Sequence, residues 1–255
     1  MRLCFAFTIA LAAAAPAGAE RLAYAPVADA EAELAGSGGL KLRYALLDRL
    51  EWAPQDGRDG YGWDFSAHLV RGTDGLWLSS VGEGGLWGSP DYLEFQALYS
   101  RDLGEGRFLN AGLRWDATPR PRRLYLTAGG QWEPKLQGER DLWIGAFGYL
   151  SHKGEWSARL GGIYNQKLVG DLWAQPSFEL NASANDVPEL GLGRGLTYAE
   201  AGLRLRYEIS PRFAPYLGVS WERSLGQTAG YARAAGDDVE AATLVVGLRS
   251  YWGAD

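Results

Sequence analysis

One short alternating segment carries the first side chains that could do chemistry. Asp64, Ser66 and His68 are spaced two apart, which puts all three on the same face of a β-strand. Glu83 and Glu94 belong to the next two predicted strands and could approach that face. An imidazole with several carboxylates is a ligand set that Cu(II) or Zn(II) accepts. The sequence therefore predicts a metal site of His68, Asp64, Glu83 and Glu94, and the alternative is a histidine that hydrogen-bonds a carboxylate.

The same three residues raise the question of hydrolysis, because Ser, His and Asp are the residue types of a catalytic triad. Side chains at i and i+2 of a strand stand side by side, so a triad of Ser66, His68 and Asp64 would need strained rotamers. The glycine-rich stretch 191–195 lies outside any βαβ unit and is no nucleotide-binding fingerprint. We therefore expect a protein that is not an enzyme, with an enzyme acting on lipid as an alternative interpretation.

A second candidate set consists of charged residues on the polar faces of the predicted strands. Its members are Arg114, Asp116, Glu179, Glu200, Arg204, Arg206, Glu208, Glu222 and Arg249. Such a set can form a constriction that selects ions. It can equally form a structural network in which every charge is paired. Both interpretations stay open on the sequence alone.

Long period-two segments position all of these residues. Residues 63–69, 109–116, 172–181 and 199–209 alternate apolar with polar side chains, which is typical of strands with one apolar face. Turn residues separate the segments, and the pattern predicts about twelve strands, with a range of ten to fourteen. Their predicted bounds are 42–53, 61–71, 75–85, 92–102, 106–117, 123–133, 140–150, 155–165, 172–183, 196–209, 213–224 and 240–252.

The polar faces decide which kind of sheet this is. They combine clustered charges with glycines such as Gly112, Gly202 and Gly218, which would make room for arginine side chains inside a barrel. Aromatic residues recur at the strand ends, as in the girdles of a membrane barrel. They are Trp52, Trp63, Trp115, Trp132, Trp156, Tyr207, Trp221 and Trp252. The pattern favours an all-β, antiparallel transmembrane β-barrel with a polar, charged lumen over a secreted β-sandwich.

The ends and the composition fix the cellular context. Arg2, a following apolar run and the Ala17-Gly18-Ala19 cleavage site predict a signal peptide over residues 1–19. We expect a flexible periplasmic leader over 20–40 and an outer-membrane barrel, with membrane lipid as its partner, over 41–255. No later apolar run is long enough for a membrane helix. The chain has 255 residues and a net charge of −6, which argues against a nucleic-acid partner.

Several motifs resemble the outer-membrane copper resistance protein B family. The opening Leu50-Glu51-Trp52 and Trp63-Asp64 resemble the start of family members. Further matching stretches are residues 83–84, Glu94, 98–101, 112–116, 191–196, 200–209, 213–219, 226–229 and 247–249. Their order and spacing cover almost the whole chain after the leader. In place of the aromatic residue that usually closes the last strand, Trp252 is followed by Gly253-Ala254-Asp255.

The resemblance implies a bacterial barrel that supports copper tolerance beside periplasmic copper proteins and binds copper or passes it across the outer membrane. The leader lacks the methionines and histidines of many relatives, and Cys4 and Met1 both lie in the signal peptide. A bound copper ion would then be Cu(II), held by His68, His152 and carboxylates. The alternative to copper binding or passage is a general small-solute pore or structural barrel without copper chemistry.

Overall fold

The computed structural model describes residues 39–54 and 59–253. The predicted signal peptide lies outside the described residues, and so does the predicted leader except for Gly39 and Leu40. The described chain forms twelve strands. They are β1 (Lys41–Ala53), β2 (Gly60–Arg71), β3 (Asp74–Gly85), β4 (Tyr92–Asp102), β5 (Arg107–Thr118), β6 (Arg123–Trp132), β7 (Arg140–Ser151), β8 (Trp156–Val169), β9 (Leu172–Ser183), β10 (Gly195–Tyr207), β11 (Ala214–Ser224) and β12 (Glu240–Gly253).

The strands close into a single barrel. Each strand pairs antiparallel with its sequence neighbours, and β12 pairs with β1. The predicted twelve-stranded antiparallel barrel is confirmed. One bound differs by several residues, because β8 continues to Val169 instead of ending at residue 165. Lys167 and Val169 still pair with β9, so ladder hydrogen bonds set the end of this strand after the apolar alternation has faded.

Two helical segments lie in the connections. A 3-10 turn, Pro188–Leu190, follows β9, and helix α1, Gly226–Ala235, follows β11. Neither segment was predicted from the sequence. Within the described residues, no helix is long and apolar enough to cross a membrane.

The barrel is apolar outside and polar inside. Leucines such as Leu126, Leu203 and Leu244 point outward and are exposed, with Leu126 63% accessible. The buried set contains charged residues such as Glu94, Arg114 and Arg204. A water-soluble fold buries its large apolar side chains and exposes its charges. The opposite distribution found here is that of a barrel whose outer face lies in lipid.

The predicted aromatic girdles are confirmed for six of the eight residues, which point outward at the strand ends and are exposed. Trp132, Tyr207 and Trp252 lie at one rim of the barrel, and Trp52, Trp115 and Trp156 lie towards the other. Two bands of amphipathic rings flank the apolar face, as expected where a barrel meets both membrane surfaces.

The two rims differ in their connections. The short-turn rim, where β1 begins and β12 ends, has the connections 72–73, 103–106, 133–139, 170–171 and 208–213. The long-loop rim has the connections 54–59, 86–91, 119–122, 152–155, 184–194 and 225–239. Both helical segments belong to the long-loop rim. The lengths of the connections therefore distinguish one rim of the barrel from the other.

A charged lumen as the candidate functional site

The most completely paired charge in the lumen is Glu94 on β4, whose side chain is fully buried. Arg114 and Arg159 each place a guanidinium nitrogen 3.0 Å from its carboxylate. Gln96 Nε2 donates to the same carboxylate at 2.5 Å, and the Tyr92 hydroxyl also donates to it. We call these residues, with Asp116, the Glu94 network. All lone pairs of this carboxylate are engaged, which is the arrangement that makes a buried charge tolerable.

Arg114 extends the network across β5. Its Nε and Nη2 atoms form a bidentate pair with Asp116, at 2.7 and 2.9 Å. The guanidinium also lies 4.6 Å from the ring centre of Tyr149 and 5.1 Å from that of Tyr125. Tyr149 and Tyr125 belong to a buried cluster with Leu98 and Phe147 in the lumen. For Arg114 and Asp116 the geometry therefore supports the structural interpretation of the charged set.

A second paired group joins β1 to β9–β12. Arg204 Nε lies 2.7 Å from the Glu51 carboxylate, which also accepts from the Tyr216 hydroxyl at 3.2 Å. Arg249 Nε lies 3.0 Å from Asp48. Arg206, from the same predicted set, donates to Asn165 at 3.3 Å and lies 3.6 Å from Glu208. Ion pairs as well as backbone hydrogen bonds thus join the first strand to the last strands of the barrel.

The expected role of glycine beside arginine is confirmed around Arg204. A Cβ added at Gly202 would lie 2.9 Å from the guanidinium, and one added at Gly218 would lie 3.0 Å from Cγ. The two glycines face Arg204 from its own strand and from β11. Their missing side chains provide the space that this long side chain occupies.

Three glutamates of the predicted set lie side by side on neighbouring strands. Glu200 on β10 is directly opposite Glu179 on β9 and directly opposite Glu222 on β11. Residues directly opposite in a ladder have Cβ atoms about 5 Å apart, and like charges there destabilise the sheet. We call Glu179, Glu200 and Glu222 the glutamate row. It lies in the half of the lumen nearer the long-loop rim.

The glutamate row is only partly compensated. Arg49 lies 3.8 Å from Glu200 but also 3.9 Å from Glu51. Arg159 lies 3.4 Å from Glu179 but is shared with Glu94. Among the described residues, Glu222 has no ion-pair partner.

Neutral groups supply the remaining contacts of the row. The Tyr198 hydroxyl donates to Glu222 at 2.7 Å and lies 3.3 Å from Glu200. The Ser220 hydroxyl lies 3.4 Å from Glu200. Three adjacent carboxylates with shared cations leave this wall of the lumen negative.

The predicted metal residues are not gathered at one place. His68 is buried among aromatic rings, with centres at 5.9 Å for Tyr44 and 5.8 Å for Phe108. Asp64 is four residues away on β2, which is about 13 Å along a strand. Glu94 is held by its arginines, and Glu83 lies opposite Gly62 further along β2. In residues 39–54 and 59–253, no group of three or more His, Cys, Asp or Glu side chains could hold a metal ion.

The surroundings of His68 also show whether it can activate Ser66 for hydrolysis. His68 Nε2 has no hydrogen-bond partner in the described part of the chain, so no bond joins it to Ser66. A general base must reach the proton that it removes. Through Nε2, His68 is therefore not placed to act as a base for Ser66.

Four important lumen residues were missed by the sequence analysis: Asp48, Arg49, Glu51 and Arg159. The β1 ladder has a register shift between Leu47 and Arg49, so that the adjacent Asp48 and Arg49 both contact lumen groups. Two consecutive charges in an otherwise alternating strand are the signal of such a bulge and could have revealed it. Arg159 lies within a correctly predicted strand, and only its contact with Glu94 distinguishes it.

Closed topology, apolar outer face, aromatic girdles and charged lumen define a transmembrane β-barrel. The barrel is similar to the solved structure of the NanC porin, with a TM-score of 0.54 at 13% identity, covering 80% of this chain and 98% of the porin. At that identity the likeness shows the fold alone.

The family follows from the sequence. A model of the family described as copper resistance protein B precursor matches residues 41–252. The copper resistance protein B homolog of Pseudomonas syringae pv. tomato is 41% identical over 82% of this chain and 69% of its own length. Copper resistance protein B of Escherichia coli is 36% identical over 81% of this chain and 68% of its own length. The chain belongs to the copper resistance protein B family.

Membership and fold together place the barrel in the outer membrane and assign it a role in copper resistance. Membership in the family also points to a protein that is not an enzyme. Barrels of this membrane keep short turns on the periplasmic side and longer loops outside. The short-turn rim therefore faces the periplasm, and the long-loop rim faces the exterior.

Proposed function

We propose that Cu(II) enters the lumen and passes along the glutamate row, with copper as the cargo of the barrel and not as a resident cofactor. The observation that carries the proposal is the direct juxtaposition of Glu179, Glu200 and Glu222 with shared cations. Clefts lined by one sign of charge raise the local concentration of the opposite ion. Rings of Asp and Glu give cation channels their selectivity.

Weak binding suits passage better than chelation does. Conduction requires a site that attracts the ion and also lets it leave. A single carboxylate or two neighbouring carboxylates of the glutamate row attract Cu(II) without enclosing it, and Cu(II) accepts oxygen ligands. Periplasmic copper proteins would exchange the ion with the barrel at the short-turn rim.

Copper entry into vesicles tests the proposal. The purified barrel is placed in lipid vesicles that contain a Cu(II)-quenched dye, and wild type is compared with Glu200→Gln/Glu222→Gln. We expect Cu(II) influx to fall about tenfold, because the attracting charge is lost. Glu240→Gln is the matched control, since Glu240 is exposed, pairs with Arg223 at 3.3 Å and lies on the outward face. Influx equal to that of protein-free vesicles, or unchanged in the double variant, would overturn the proposal.

A general pore is separated from a copper path in the same vesicles. A barrel without copper chemistry would pass a neutral solute and Cu(II) at comparable rates, and both would be insensitive to Glu200 and Glu222. A copper path would pass Cu(II) selectively and would depend on both glutamates.

We propose His68 by itself as a second place where Cu(II) binds, without the carboxylates Asp64, Glu83 and Glu94 that the sequence pattern grouped with it. The observation that favours it is the unpartnered Nε2 atom of this buried imidazole. Copper binding by the refolded barrel in detergent, wild type against His68→Ala, tests it. Saturable Cu(II) binding that disappears in the variant supports a histidine site, and equal binding in both proteins refutes it.

A further inference from the structure

The exterior rim carries a cluster of basic side chains above β5–β8. Arg120 and Arg122 lie in the connection 119–122, and Lys153 lies in the connection 152–155. All three are exposed, and none forms an ion pair with a described residue. We call them the rim patch. Its positive charge contrasts with the net charge of −6 of the whole chain.

Backbone pairing brings the two connections together. The His152 amide donates to the Leu124 carbonyl at 2.8 Å, and the Leu124 amide donates to His152 Nδ1 at 3.3 Å. Arg122 is two residues before Leu124, and Lys153 directly follows His152. The cations from both connections therefore stand on one side of the rim.

The two acidic residues that contact Arg123 in this region, Glu155 and Glu189, are already engaged. Glu155 accepts two hydrogen bonds from Arg123, at 2.9 and 3.0 Å, and one from the Ser151 hydroxyl at 2.6 Å. The buried Arg123 guanidinium also bonds Glu189, so it engages both carboxylates of this region. The rim patch remains available to an external anion.

Directly below the rim patch, the outer face is apolar. Leu124, Leu126 and Trp156 point outward and are 45%, 63% and 56% exposed. Arg122 directly precedes β6 and is two residues before Leu124. The cations thus belong to connections that adjoin the strand ends carrying these lipid-facing side chains.

We propose that the rim patch binds the phosphate groups of a phosphorylated lipid in the outer leaflet, whose acyl chains pack against Leu124, Leu126 and Trp156. Arginine forks match phosphate oxygens in geometry and charge. Charge complementarity and the apolar stripe below select a lipid over a soluble anion. This site is separate from the lumen and does not depend on the proposed passage of copper.

Lipid retention in detergent tests the proposal. The full-length mature barrel is mixed with bis-phosphorylated lipid A, and bound lipid is counted by native mass spectrometry. The variant is Arg120→Gln/Arg122→Gln/Lys153→Gln. Three exposed cations of the short-turn side, changed as Arg71→Gln/Lys135→Gln/Arg212→Gln, give a control with the same change in charge. We expect affinity to fall about fivefold for each rim-patch cation removed and to stay unchanged in the control.

Two further ligands identify what is recognised. Lipid A without phosphates should bind much more weakly to the wild type, because the acyl chains alone lack the ionic contacts. Inorganic phosphate should not displace the lipid at equal concentration. Equal binding of the phosphate-free lipid, equal loss in both triple variants, or displacement by inorganic phosphate would each overturn the proposal.

Discussion

The Glu94 network and the glutamate row use the same residue types in opposite ways. At Glu94, two arginines, an amide and a hydroxyl surround one carboxylate. At Glu200, two further carboxylates occupy the adjacent ladder positions, and the nearest guanidinium is 3.8 Å away and shared. Fully paired charges hold the barrel wall in shape. An excess of negative charge instead creates an electrostatic field that attracts a cation into the lumen.

The two regions also divide the single charged set that the sequence predicted. Arg114 and Asp116 belong to the structural part, and so do Arg204 and Arg249 through their partners on β1. Glu179, Glu200 and Glu222 belong to the unbalanced part. Sequences place like charges together at a cost to stability, and such exceptions concentrate where a protein functions. The same substitution at each region should therefore have opposite effects.

The largest effect is expected from Glu94→Gln. Removing this charge leaves Arg114 and Arg159 buried with only part of their compensation, and breaking one partner of a buried ion pair costs about 3 kcal/mol. Urea unfolding of the barrel in lipid vesicles, followed by tryptophan fluorescence, measures the loss. Asp74→Asn is the control, because Asp74 pairs with Arg101 at an exposed site. A cost below that of the control would show that the network contributes no stability.

Glu200→Gln should have a smaller effect of opposite sign. Relief of repulsion from the two facing glutamates should stabilise the barrel by roughly 0.5 kcal/mol, while Cu(II) influx falls. The same unfolding assay measures the change. A destabilisation as large as that of Glu94→Gln would mean that Glu200 is a structural anchor and that the two regions do not differ.

The sequence predicted the strands far better than it predicted the division of charges. Alternation and turn residues gave the number of strands and the lumen-facing sides of Arg114 and Glu200, because in a barrel the period-two pattern reports directly on orientation. For β1 the sequence predicted only the bounds, because the bulge beside Arg49 interrupts the alternation there.

Long-range geometry accounts for what was missed in the site. The contact between Arg159 and Glu94 joins strands far apart in the sequence, and the opposition of Glu200 to both neighbours depends on register. Helix α1 was missed because its segment, with Gly226 and Gly230, has a low helix propensity. Two hydrogen bonds join the helix to the connection 184–194. The Gly193 amide donates to the Thr228 hydroxyl, and the Tyr231 hydroxyl donates to Asp186.

The smallest predicted effect concerns the exterior rim at low pH. Arg123 bonds both Glu155 and Glu189 and so ties β6 to the connection 184–194. Hydrogen bonds from Arg123 hold the pKa of Glu155 below its usual value. A carboxylate with a lowered pKa stabilises the folded state above its ordinary pKa of about 4.3, and this contribution disappears as the pH falls through the lowered value. The tie should hold from neutral pH down to that ordinary value and loosen as the pH falls through the lowered pKa.

Hydrogen exchange of the amides in 184–194, recorded between pH 7 and 3 and corrected for intrinsic rates, measures this loosening. Glu155→Gln should raise exchange there already at pH 7, because the charge that orients Arg123 is gone, and should flatten the dependence on pH. Glu139→Gln is the matched control, since Glu139 pairs with Lys167 at 2.8 Å on the opposite rim. If the connection 184–194 exchanged equally in all three proteins at every pH, the Arg123 pairs would not hold it. The exterior rim would then be fixed by its backbone bonds and by α1 alone.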